Sequence, residues 1–90
     1  MRPTLPLLHR KFQHFNSLCF NSELPSIHFS ISRSSKRRGS FRHPVCAPAD
    51  ASTYVRLCQI SLSDRFEMTE DDFDNVLLHE MIHYFLWFTG

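Results

Sequence analysis

Near the amino terminus, apolar positions recur at a helical interval. In "LPLLHRKFQHFNSLCFN", Leu8, Phe12, Phe15 and Cys19 fall on one stripe, which Leu7 and Leu18 widen. Pro6 suits a first helical turn, Asn21 and Ser22 begin the exit, and Pro25 opposes continuation. The spacing predicts a helix with one buried face. Beyond Pro25 the period changes to two. In "SIHFSISR", Ile27, Phe29 and Ile31 alternate with His28, Ser30 and Ser32, as in a strand with one apolar and one wet face. "SSKRRGS" reads as a turn in which Gly39 is available for a positive φ. A short strand around Phe41 is expected next, and Pro44 and Pro48 keep "HPVCAPADAS" out of a central ladder.

"TYVRLCQISLS" carries the strongest strand pattern. Val55 and Leu57 lie on one side, and Tyr54, Cys58, Ile60 and Leu62 on the other, which predicts an inner strand covered on both faces. A second helix then starts at Thr69. This residue is a good N-cap, Asp72 can complete a capping box, and Glu70, Asp71 and Asp72 oppose the positive end of the helix dipole. From Phe73 the apolar positions run through Val76, Leu77, Met81, Ile82, Phe85 and Leu86, with Gly90 as a terminator. A helix so apolar all round is expected at the buried centre of the domain. The fold class is therefore α+β: an N-terminal helix and a C-terminal helix packed on a small, mainly antiparallel three-stranded sheet.

Composition narrows the class. The chain has 90 residues, 42% hydrophobic and 21% charged, with a net charge of +1. This allows one small domain, is too apolar for disorder, and includes no apolar run long enough to span a membrane. "MRPTLPLLHRK" lacks the h-region and cleavage site of a signal peptide, so a cytoplasmic location is expected. Cys19, Cys46 and Cys58 form an odd set without a C-x-x-C pair, which argues against a disulfide framework and a cysteine zinc knuckle. Cys19 and Cys58 lie in apolar stretches and are expected to be buried thiols. So small a core without staples suggests part of a larger protein.

The chemistry lies in "HEMIH", residues 79–83. On a helix, His79 and His83 are one turn apart on one face, so two imidazoles can reach a single zinc ion at about 2.0–2.1 Å each. Glu80 lies about 100° around the axis, placed to touch a water held by the metal rather than to be a third helix ligand. Zinc makes such a water acidic, and the glutamate takes its proton as general base, then returns it to the leaving amine. The composition produces this pattern by chance in roughly 2 shuffled chains per 100, and here it falls on an independently predicted helix.

With the site in view, the whole series resembles the SprT-like zinc metallopeptidases, which include the Spartan-type proteases. Phe15, Asn16 and Phe20 match an F-N-x-x-x-F helix, Leu24 and Pro25 a turn into a strand, and Gly39 a later turn. Ile60 to Ser63 match an I-x-L-S strand, and Leu78 to His83 the active-site helix. The resemblance covers about Phe12 to Gly90. It implies a zincin-like fold and a zinc endopeptidase, with His79 and His83 as ligands and Glu80 as the catalytic base. It also implies a polypeptide substrate paired with an edge strand, and a third zinc ligand, a histidine downstream of the helix. His9, His14, His28 and His43 all lie upstream and read as ordinary histidines. Residues 1–90 are therefore expected to be a partial domain cut after the active-site helix, binding zinc weakly and with little activity alone.

Arg33, Lys36, Arg37, Arg38 and Arg42 form a basic cluster with no acid between Glu23 and Asp50. Because Spartan-type relatives digest proteins crosslinked to DNA, a weak DNA contact through these residues is a candidate, and a non-catalytic nucleic-acid or partner-binding fragment is the alternative function. A solvated hairpin tip explains the same charges, and no aromatic side chain is interleaved in "RSSKRR" to stack bases. The acidic set Glu67, Glu70, Asp71, Asp72 and Asp74 fits helix capping and lacks EF-hand spacing.

Overall fold

The computed structural model describes residues 1–44 and 57–89. Helix α1 spans Leu5–Cys19 and helix α2 spans Glu70–Thr89; between them lie strands β1 (His28–Ser32), β2 (Gly39–Arg42) and β3 (Gln59–Ser63). Cys46, Pro48, Tyr54, Val55 and Gly90, all given roles from sequence, lie outside the described residues.

Thr4 caps α1 by accepting from the Leu7 N–H at 3.3 Å, and Pro6 occupies the first turn. The apolar stripe is buried at Leu8, Phe12 and Phe15. Cys19 departs from expectation: it is exposed, whereas Cys58 is buried. At the end of α1 the chain swings away through two left-handed residues, Asn21 (φ 54) and Ser22 (φ 58), so the stripe loses its partner one turn early. Asn16 locks this exit, donating from Nδ2 to the Leu24 carbonyl (2.8 Å) and accepting from the Leu24 N–H (3.0 Å).

The sheet order is β1-β3-β2. Strand β3 is central, and Ile60, Ser61, Leu62 and Ser63 are all buried; Leu57, expected on a covered face, lies before the strand and is exposed, and the second face of β3 carries serines. The expected antiparallel majority is not found, because β1 pairs with β3 in parallel and only β2 is antiparallel to it. The cause is the connection 33–38. It reverses the chain without pairing β1 to β2 and arches over the end of β3, where Ser63 N–H bonds Arg38 O (2.8 Å), Asp64 N–H bonds Ser32 O (3.0 Å) and Ser63 Oγ donates to Ser34 O (2.7 Å). Gly39 also departs from its assigned role. It opens β2 and lies outside the left-handed region, and its value lies in the space it leaves.

Register separates the faces. Phe29, Ile60 and Phe41 share one rung, and Ile31, Leu62 and Gly39 the next, on the face that receives both helices. Ser30, Ser61 and Ser40 form a rung on the opposite face, where Ser30 and Ser61 hydroxyls meet at 2.5 Å. Thr69 Oγ1 accepts from the Asp72 N–H (3.1 Å) to start α2, which buries Phe73, Leu77, Glu80, Met81 and Tyr84. This helix is not enclosed on every side, since Ile82 and Leu86 are exposed. The sheet offers it one face, and the described residues supply no second layer. Tyr84 donates to the Pro25 carbonyl (3.1 Å), and Lys11 joins α1 to Asp74 (2.7 Å) and Glu70 (3.3 Å). Asp74 is the chief reason that the Lys11 ammonium holds its proton more firmly than usual. Among the described residues, no helix is long and apolar enough to cross a membrane.

Asn16→Ala removes both bonds to Leu24 and should lower the unfolding free energy by about 2 kcal/mol, measured by urea titration. Asn16→Asp should not restore it, because a carboxylate has no N–H for the Leu24 carbonyl.

Candidate metal centre

Helix α2 projects His79 and His83 from one face, both exposed, at the margin of the sheet. Their Nε2 atoms are 3.1 Å apart and the rings stand at 83°. An ion about 2.05 Å from each nitrogen would see them at roughly 98°, within reach of the tetrahedral angle. The separation of the two nitrogens is thus compatible with a single small metal ion. Glu80 joins them: one donor atom from each of the three residues lies within 4.8 Å of the others, so the group could hold a metal ion.

Glu80 differs from its neighbours by being buried, at 6% exposure. Burial pushes its carboxyl above the usual range, while the positive character of His79, His83 and Arg37 pulls the other way. It reaches this position because β2 carries no side chain at Gly39. A methyl group there would lie 2.8 Å from Val76 Cγ1, 3.2 Å from Glu80 Oε2 and 3.3 Å from Glu80 Cγ. A cleft of about 360 Å³ opens over this contact, lined by His79, Glu80 and His83 from the helix and by Arg37, Gly39, Ser40, Phe41 and His43 from the β2 segment.

The three residues picked from sequence thus converge. Of the upstream histidines, His9 packs edge-on to Phe29, while His14 and His28 are exposed elsewhere. His43 alone among them lines the cleft; its ring lies 5.8 Å from Trp87, and its Nδ1 is 2.8 Å from Pro44 O. A carbonyl only accepts, so Nδ1 carries the proton in that bond. Sequence reading missed His43 and Arg37 as cleft residues, and no local period marks either. Of the basic cluster, Arg33, Lys36, Arg37, Arg38 and Arg42 are all exposed; Arg38 lies over the Phe66 ring at 5.3 Å, and Arg37 lines the cleft.

A sequence model of the SprT-like family matches residues 8–90. The chain belongs to the SprT-like family. No curated protein and no solved structure gives a significant match. Family membership and the convergence of His79, Glu80 and His83 therefore stand as two separate observations on this SprT-like chain.

Gly39→Ala should destabilise the protein by about 1–3 kcal/mol, because Val76 and Glu80 must move to admit the methyl group. In a Val76→Ala background the same substitution should cost less, which chemical denaturation of the four variants of the cycle will measure. Glu80 gives a second expectation, in the metal-free protein. Its folded-state pKa is raised above the ordinary 4.5, so the penalty of burying its charge is absent below that value and complete above the folded-state pKa. Glu80→Gln should therefore stabilise the metal-free protein at neutral pH, with the gain fading towards pH 4.

Proposed function

We propose that this SprT-like chain is the metal-binding portion of a zinc metallopeptidase. The observation that carries the reading is the 3.1 Å approach of His79 and His83 Nε2 beside a buried carboxylate, in a cleft bordered by an edge strand. His79 and His83 are the metal ligands of the chain, and Glu80 is its catalytic base. A third protein donor, which the SprT-like resemblance puts downstream of the helix, completes the set. When bound, zinc supplies Lewis-acid polarisation of a carbonyl and a water acidic enough to lose a proton near neutral pH.

The chain's own groups do the rest. Glu80, with its affinity for a proton increased by burial, accepts one from the attacking water and delivers it to the departing amine. Strand β2 lies at the sheet edge, with no partner on its outer side among the described residues. Its backbone N–H and C=O groups hold an extended polypeptide by strand addition, aligned past Glu80. Backbone pairing of this kind recognises the ligand as a polypeptide.

A second reading, a nucleic-acid-binding fragment, is favoured by a cavity of about 350 Å³ that Arg37 and Arg42 share with four serines. Salt-sensitive DNA binding that survives chelation and Glu80→Gln would support it.

Competition with a chromophoric chelator tests the first reading. One equivalent of zinc should bind the chain and be lost in His79→Ala. Glu80→Gln should keep the zinc, because the carboxylate is assigned to the attacking water and not to the metal. Zinc uptake indifferent to His79 would overturn the proposal.

A further inference from the structure

The metal cleft sets one buried carboxylate against one exposed guanidinium. Glu80 is its single carboxylate, whereas Arg37 contributes a permanent positive charge. A divalent cation between His79 and His83 would add to the same sign. Arg37 is exposed and makes no ion pair among the described residues. Its backbone N–H is held by Ser34 Oγ at 3.0 Å, which fixes the root of the side chain, and its charge reaches Glu80. Arg37 also lines the neighbouring 350 Å³ cavity, together with Arg42, Ser32, Ser40 and Ser61, and no carboxylate borders that space. Between the two cavities runs β2: Arg37 stands two positions before the strand and Arg42 ends it.

We infer that the substrate is an acidic polypeptide. It lies extended along β2 with a carboxylate beside the reacting bond bound by Arg37, and Arg42 attracts further acidic residues at the other end of the strand. The inference rests on the peptidase reading and adds the substrate class to it. A guanidinium grips a carboxylate with two parallel charge-assisted hydrogen bonds, a geometry that Arg37 is unencumbered to make. The exposed Arg37 and Arg42, around a cavity with no carboxylate, raise the local concentration of acidic chains before contact. The strand edge favours peptide over nucleic acid. Phosphates would meet the two arginines but leave the backbone groups of β2 unpaired. The same carboxylate chemistry occurs in an Asp or Glu side chain and in a free chain end, so the two sources need separate probes.

Trp87 supplies the readout. It is the single tryptophan, and its ring lies beside His43, which borders the cleft. Fluorescence titrations of the full chain carrying Glu80→Gln, with and without zinc, would use end-blocked peptides that differ only by a central Glu, Gln or Lys. The Gln peptide with a free carboxyl terminus makes a fourth probe. The Glu peptide should bind about tenfold more tightly than its Gln isostere, and Arg37→Gln should abolish that difference without altering zinc stoichiometry. Arg37→Glu should transfer the preference to Lys. An Arg37-dependent gain confined to the free terminus would assign the carboxylate to the chain end. Equal binding of Glu and Gln peptides, or a preference that persists in Arg37→Gln, overturns the assignment and leaves the peptidase reading standing. A protein that takes up zinc but binds no peptide overturns both. Arg37-dependent binding of a single-stranded oligonucleotide with no response to the acidic peptide transfers the surface to nucleic acid.

Discussion

Helix α2 rests on strand β2 so closely that position 39 has room for a hydrogen atom and nothing larger. Val76 occupies the space that a side chain would take, and one turn further on the Glu80 carboxylate settles against the same stretch of backbone. The site follows from that contact. Because the helix is seated at this depth, Glu80 is screened from water while His79 and His83 remain open, and the three meet an edge strand rather than the middle of the sheet. A helix raised even slightly would return the carboxylate to solvent and separate it from the strand.

Burying a carboxylate is unfavourable, so the seat must be held by contacts elsewhere. They are arranged around the helix. Phe73, Leu77, Met81 and Tyr84 are fully enclosed by the sheet and α1, and the Tyr84 hydroxyl reaches across to the Pro25 carbonyl. Pro25 is itself fixed through its neighbour Leu24, which Asn16 grips by both backbone groups. Lys11 ties the first turn of α2 to α1 through Glu70 and Asp74. Asn16, Leu24 and Pro25 thus support the metal helix from the far side of the domain, although none of them approaches the cleft.

The helices and the metal motif were legible because their signals are local. The stripe Leu8, Phe12, Phe15 needs only a 3.6-residue period, and His79 and His83 share a face through the same period. Strand β3 was recognisable from Ile60 and Leu62, but its central place was not, since its other face carries Ser61 and Ser63 and Leu57 is exposed. Strand order was not legible, since the parallel pairing of β1 with β3 depends on how residues 33–38 cross a strand that the chain makes later. Cys19 continues the stripe in sequence but lies where the helix has outrun its partner. Gly39 looked like a turn residue because a sequence records the absence of a side chain but not what fills the space. Arg37 and His43 come to α2 across a long stretch of chain, and no spacing rule connects them.

An unpaired strand edge does not distinguish a substrate from another copy of itself. Strand β2 is short, and Arg37, Arg38 and Arg42 cluster at its two ends. Two such edges brought together antiparallel would set these charges against one another, and like charges directly opposed across strands are destabilising. The residues that make the edge hospitable to an acidic chain thereby also discourage edge-to-edge stacking, and with it the route by which exposed strands lead to aggregation.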